Sequence, residues 1–190
     1  MCINGDLEQK DRTEVLTKFS NKSISILVAT DVVARGLDIE DLPTVLNYSL
    51  PHNPESYVHR IGRTGRAGKK GLVFSFVYDY ETEKLTEIES LIKKSCKLEP
   101  VSELSGFEKY KLKPPMKTMY ISGGKKDKLR PGDIVGALIG EAKLESADIG
   151  DISIQNVFSY VAIKSHRIDQ AISGLSGGKI KKRKFKVGLA

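Results

Sequence analysis

Three continuous apolar runs constrain this chain most: ISILVA at 24–29, TVLNYSL at 44–50 and GLVFSFV at 71–77. A half-wet strand alternates apolar with polar residues. A continuous, β-branched run suits a strand covered on both faces, as in parallel sheets. Helical signals separate the runs. Asp6 is placed to cap a helix over 7–20, with Leu7, Val15, Leu16 and Phe19 mostly on one side. Pro51 and Pro54 punctuate the second run, and a helix can start near Glu55. After the third run, Leu85, Ile88, Leu91 and Ile92 recur three and four apart, predicting a helix over 81–95. Strand alternating with helix predicts an α/β domain with a parallel sheet over 1–98.

The rhythm breaks at 99–116, where prolines and scattered charges follow no period, and this reads as a linker. A second pattern fills 117–190. It runs strand (119–122), basic loop, helix opened by Pro131, strands near 149–154 and 157–164, helix over 167–175 and a last strand near 180–187. That βαββαβ order is the α+β, ferredoxin-like layout shared by RNA-recognition motifs.

Charge follows the same division. Residues 1–110 hold 15 Lys and Arg against 17 Asp and Glu, a net −2, whereas 111–190 hold 16 against 7, a net +9. A near-neutral module joined to a basic one suggests a polyanion partner for the second; a solubilising surface is the alternative. No apolar run approaches the length of a membrane span, and residues 1–12 lack a signal-peptide core. Cys2 and Cys96 form no CxxC, so no metal site is expected, and their scarcity fits a reducing cytosol.

Two segments carry chemistry. HRIGRTGR at 59–66 gathers His59, Arg60, Arg63 and Arg66 around two glycines. Cations so close repel one another unless an anion joins them, and the planar guanidinium suits phosphate; an ordinary basic patch is the bland alternative. ATDVVARGLDI at 29–39 is the other. Together with NGDLEQKDR at 4–12, they resemble motifs VI and V and the QxxR segment between motifs IV and V of DEAD-box RNA helicases, in order and spacing. The resemblance implies that 1–98 is the second RecA-like domain. It implies that Arg63 and Arg66 are arginine fingers for the ATP γ-phosphate, a role worth about 10³–10⁵ in rate. It further implies Asp38 at the ATP ribose, His59 coupling ATP state to closure with the first RecA-like domain, and Arg35 in the network linking the two sites. Gln9, Arg12, Thr30 and Gly36 fall where the family contacts RNA. For Asp31, a helix N-cap or turn role competes with an RNA role; for Asp41 and Asp6, capping is the favoured reading.

The chain has neither a GxxxxGK[ST] loop nor an Asp-Glu-Ala-Asp quartet, and it starts after the family's motif IV strand and following helix. It is therefore expected to be a helicase fragment that hydrolyses no ATP alone, since ATP with Mg²⁺ would be held mainly by the first domain. Its first half should leave apolar surface uncovered and be the less stable.

The second module offers two RNA surfaces. Tyr120, Phe158 and Tyr160 can share one sheet face, where RNA-recognition motifs stack bases, leaving Val157, Val161 and Ile163 for the core; the reverse, aromatics in the core, is the usual alternative. Asn156-Val157 and Gly123-Gly124 depart from the usual strand motifs. The other surface is the loop Lys125, Lys126, Lys128 and Arg130 with the run Lys181, Lys182, Arg183, Lys184 and Lys186; a solvated lysine-rich edge strand competes for the latter. ISGGKKDKLRPGDIVGAL and ADIGDISI resemble the RNA-binding domain of DbpA-like bacterial DEAD-box helicases. That implies docking on a 23S-type ribosomal RNA hairpin of the pre-ribosomal large subunit, in the bacterial cytoplasm. A non-enzymatic RNA-binding or regulatory module is the competing reading, and a DNA-directed motor a third.

Overall fold

The structure is a computed structural model of the 190-residue chain. It describes residues 1–31, 39, 41–65, 68, 70–104 and 111–190. The chain divides into two compact units, Met1–Val28 with Lys111–Ala190, and Ala29–Tyr110.

The second of these units carries the parallel sheet. Strands β3 (Thr44–Asn47) and β4 (Leu72–Ser75) pair in parallel, Thr44 opposite Leu72 through Asn47 opposite Ser75. The helix α2 (Pro54–Ile61) connects them; Asn53 caps it by accepting from the Glu55 N–H at 2.7 Å, and Pro54 sits at its start, where no N–H is needed. The helix α3 (Thr82–Ile92) follows β4, and Leu85 and Ile88 pack with Leu50 and Tyr57 of the α2 side. The expected apolar, doubly covered strands are corrected here: Leu46, Leu72 and Phe74 are 58, 59 and 55% exposed. One face packs on the helices; the other has no cover among the described residues.

The unit formed by Met1–Val28 and Lys111–Ala190 begins with β1 (Cys2–Ile3), helix α1 (Gln9–Ser20) and β2 (Val28–Ala29). Asp6 does not cap α1; Glu8 holds that position without a side-chain bond, while the Asp6 amide donates to Asn4 Oδ1. The run 24–29 is not a full strand either. Only Val28–Ala29 is paired, with β1, and Ile26 is 57% exposed, because a strand without a ladder partner along its length has nothing to fix it.

The rest of this unit is β5 (Met116–Ile121), α4 (Pro131–Gly140), β6 (Ile149–Ile154), β7 (Ser159–Lys164), α5 (Ile168–Gly177) and β8 (Val187–Leu189). The four strands form an antiparallel sheet in the order β6-β7-β5-β8, the ferredoxin-like arrangement expected from βαββαβ. Met119, Ile121, Val161 and Ile163 point from the central strands into a core shared with Ile134, Leu138, Ile168, Ala171 and Leu175 of the helices. The last strand is shorter and later than expected. Ile180 and Arg183 close a tight turn, and Lys181 and Lys182 adopt left-handed backbone at φ 50° and 65°, so the basic run is a loop leading into β8. Among the described residues, no helix is long and apolar enough to cross a membrane.

Candidate nucleic-acid interface

The basic loop after β5 is a built turn. Gly123 and Gly124 are buried, and a Cβ on Gly124 would come within 2.3 Å of the Gln155 carbonyl. That close approach lets the Lys125 and Lys126 amides donate to the carbonyls of Gln155 and Asn156 at 2.8 and 2.9 Å. Ser159 Oγ donates to the Gly123 carbonyl at 2.7 Å from beneath. Asp127 Oδ2 accepts from the Gly124 amide, and Asp133 Oδ2 accepts from the Arg130 amide, so carboxylates close both the turn and the start of α4. The backbone is thus fixed, while the side chains of Lys125, Lys126, Lys128 and Arg130 are exposed.

The second basic run is brought to this turn. Lys181 Nζ donates to the Lys128 carbonyl at 3.1 Å and lies 3.6 Å from Asp133 Oδ2. Arg183 lies 3.5 Å from Asp127 Oδ1, and the Phe185 ring packs where a Cβ of Gly123 would otherwise sit. Two segments more than fifty residues apart form one cationic surface, to which Lys182, Lys184 and Lys186 add exposed side chains. Asp127 and Asp133 hold the frame and offset only part of the charge. An arrangement of this kind binds phosphate backbones and sets affinity through counterion release.

The sheet face is different. Tyr120, Phe158 and Tyr160 do share the face away from the core, with ring centroids 5.2–6.1 Å apart. They are not free, however. Tyr160 is 1% exposed, whereas Val157, expected in the core, precedes β7 and is 51% exposed. Tyr120 and Phe158 are half-buried. The Tyr160 hydroxyl donates to Glu14 Oε2 of α1 at 3.0 Å. Burial and that carboxylate push its pKa far above the ordinary tyrosine range, so it remains a donor. Burial opposes ionisation of Glu14, yet bonds from Lys18 and Tyr160 outweigh it and hold the carboxyl below its usual range.

In the parallel-sheet unit, Arg60 proves to be engaged. Its Nε and Nη2 donate to Asp31 Oδ1 and Oδ2 at 2.6 and 2.7 Å, and Nη1 donates to the Ser49 carbonyl at 2.7 Å. The anion that the HRIGRTGR cations needed is, for Arg60, a carboxylate of the preceding motif. Asp41 takes a left-handed turn conformation at φ 59°. The turn after α2 is fixed to the segment just before β3: the Leu42 amide donates to the Arg63 carbonyl at 3.0 Å, and Thr64 Oγ1 donates to the Leu42 carbonyl. His59 is exposed on α2 and Arg63 is half-buried on this turn. A guanidinium such as that of Arg63 suits a polyphosphate. Thr30 is exposed. Gln9 is exposed at the start of α1, and Arg12 is half-buried, with Nη2 reaching the Leu7 carbonyl at 3.4 Å. Arg35, Gly36, Asp38 and Arg66 lie outside the described residues. Among the described residues, no group of three His, Cys, Asp or Glu could hold a metal ion.

Two family models divide the chain as the charge does. Residues 1–68 match the helicase conserved C-terminal domain, and residues 118–189 match the DbpA RNA binding domain. The chain is thus similar, module by module, to the C-terminal part of DbpA-like DEAD-box helicases. Over its full length it is 43% identical to the ATP-dependent RNA helicase DbpA of Escherichia coli, covering 41% of that protein. With DbpA of Bacillus subtilis it shares 36% identity over 99% of this chain and 43% of the relative. The chain thus spans about two fifths of the length of these curated relatives. Over 92 residues it is 56% identical to a DEAD-box ATP-dependent RNA helicase CshA of Bacillus cereus, covering 48% of this chain and 18% of that one. Among solved structures, the E. coli DEAD-box protein SrmB matches 58% of this chain and 65% of its own, with 34% identity and a TM-score of 0.49.

Proposed function

We propose that this chain is the C-terminal part of an ATP-dependent RNA helicase of the bacterial cytoplasm, and that its basic module docks on a structured RNA. The RNA is a hairpin of 23S-type ribosomal RNA, and the duplexes opened nearby are those of the assembling large subunit. The observation that carries this reading is the single cationic surface made from Lys125, Lys126, Lys128 and Arg130 with Lys182, Lys184 and Lys186. Its rigid backbone means little order is lost on binding. A docked module raises the concentration of neighbouring duplex at the helicase core. By the family resemblance, Gln9, Arg12, Thr30 and Gly36 would each contact RNA.

ATP would supply phosphoryl-transfer chemistry when bound between this domain and the first RecA-like domain of the same protein. From this chain, Arg63 and Arg66 would neutralise charge developing on the γ-phosphate, Asp38 would hold the ribose, and His59 and Arg35 would link ATP state to closure. Mg²⁺ has no ligand set among the described residues. Its ligands belong, in this reading, to the first domain.

The test is binding of a ribosomal RNA hairpin across a salt series. Lys125→Glu with Lys126→Glu should weaken it and lower the log–log salt slope by about 2, roughly 1 per lost phosphate contact. Unchanged affinity and slope would remove the basic surface from RNA docking.

A further inference from the structure

The basic run 181–186 joins the cationic surface through a turn that its residues do not favour. Ile180 and Arg183 exchange backbone bonds at 2.9 and 3.0 Å, which leaves Lys181 and Lys182 as the two central residues of a hairpin, both at positive φ. That pattern suits asparagine and glycine, and a lysine held there costs free energy. The other lysines at positive φ among the described residues, Lys22, Lys93, Lys128 and Lys143, stand singly within three residues of a helical end, where a left-handed residue closes the helix. The 181–182 pair instead spans a hairpin. Backbone strain of this kind persists where the surroundings fix it, often at a working site. The two side chains also part company. Lys181 Nζ turns back to the Lys128 carbonyl at 3.1 Å and to Asp133 Oδ2 at 3.6 Å, whereas Lys182 is exposed, with no ion pair among the described residues.

We propose that Lys181 is a strut that sets the specificity of this surface, and that Lys182 is the tip it presents to RNA. The inference rests on the RNA-docking reading above and assigns roles within it. The ammonium of Lys181 is spent on the protein itself. It fixes the 181–186 run against the 125–130 turn, whose own backbone is held by the carbonyls of Gln155 and Asn156. The two cationic segments therefore keep one spacing. An RNA stem presents its phosphates as a fixed array, and a rigid set of cations loses little order in meeting it. A single strand adapts to a rigid or a loose surface alike, so it gains little from the strut. The strut thus favours structured over single-stranded RNA. Lys182, with its ammonium unspent, adds one phosphate contact.

The experiment uses the whole 190-residue chain with two probes, the ribosomal hairpin and fluorescein-labelled octauridylate, each across a salt series. Lys181→Met keeps a side chain of similar length and removes the ammonium. Hairpin affinity should fall roughly fivefold, the size of about one net hydrogen bond, at an unchanged log–log salt slope. Octauridylate affinity should stay within about twofold. Equal weakening with both RNAs and a slope lower by about 1 would make Lys181 an ordinary phosphate contact and overturn the strut. Unchanged hairpin binding overturns it too. Lys182→Gly should lower the hairpin slope by about 1 and, because glycine accepts positive φ, raise the melting temperature by about 2–5 °C. A lower melting temperature, or an unaltered slope, removes the tip. Lys125→Glu with Lys126→Glu is measured beside them. If that variant also leaves hairpin binding unchanged, the docking reading has failed. If it weakens binding while Lys181→Met and Lys182→Gly do not, only the strut and the tip are lost.

Discussion

Asp31 and Arg60 meet at two points, Nε to Oδ1 at 2.6 Å and Nη2 to Oδ2 at 2.7 Å, and so tie the ATDVVARGLDI segment to the helix that carries HRIGRTGR. Lysine cannot reproduce a two-point contact. Arg60→Lys should therefore lower the stability of the parallel-sheet unit by about 1–2 kcal/mol, a figure discounted for the partial exposure of both side chains. Urea unfolding followed by far-ultraviolet circular dichroism checks it. Asp31→Asn should cost a similar amount, and the double variant less than the sum.

Gly124 decides whether the basic loop can sit against the turn after β6. A methyl group there would meet the Gln155 carbonyl at 2.3 Å and backbone atoms of Asn156 at 2.7 and 2.8 Å. Gly124→Ala should displace the loop, break the Lys125 and Lys126 amide bonds and weaken hairpin binding with every lysine still present. Comparing its affinity with that of Lys125→Glu/Lys126→Glu separates preorganisation from charge.

Two helical glycines should respond in opposite directions. A Cβ on Gly174 in α5 would lie 2.4 Å from Ala142 Cα, so Gly174→Ala should cost roughly 1–3 kcal/mol through overpacking. A Cβ on Gly136 in α4 meets nothing within 4 Å. Gly136→Ala should gain about 0.5–1 kcal/mol from reduced unfolded-state freedom. Thermal melts of the two variants make the comparison.

Asp148 is buried, with Lys164 Nζ at 3.3 Å and Arg167 Nε at 3.5 Å. Burial works against its ionisation, but the Glu145 amide, Lys164 and Arg167 outweigh it and hold its pKa below the ordinary 3.8. A carboxyl depressed in the folded state contributes stability above its unfolded pKa and loses it as pH falls through the folded one. The chain should thus lose stability below about pH 4, and Asp148→Asn should flatten that acid limb in a pH series of urea midpoints.

In the full-length protein, Arg63→Ala should reduce RNA-stimulated ATP turnover by about 10³-fold or more if Arg63 acts at the γ-phosphate. Hairpin binding through the basic surface should be unaffected. Steady-state phosphate release with and without hairpin RNA reads both.

Local pattern determined much of this molecule. The apolar spacing of Leu85 and Ile88 gave α3, the alternation Met119 and Ile121 against Tyr120 gave β5 its two faces, and Pro131 opened α4. The HRIGRTGR and ATDVVARGLDI segments stood out because phosphate chemistry draws on few residue types at fixed spacing. Where pattern misled, a partner was involved. ISILVA looked like a full strand, but strand length depends on a ladder neighbour that no local window contains. The lysine run looked extended, but the closure of Ile180 on Arg183 makes it a loop.

The sequence by itself therefore determined which elements form, which residues could meet phosphate, and that the positive charge belongs to one module. Only the tertiary structure decided that Lys181 meets Lys128, that Asp31 occupies Arg60, and that Glu14 covers Tyr160 across 146 residues. Periodicity and propensity act within a few turns of chain. Contacts at such separations depend on how each element buries its surface against the others, and no local window carries that information.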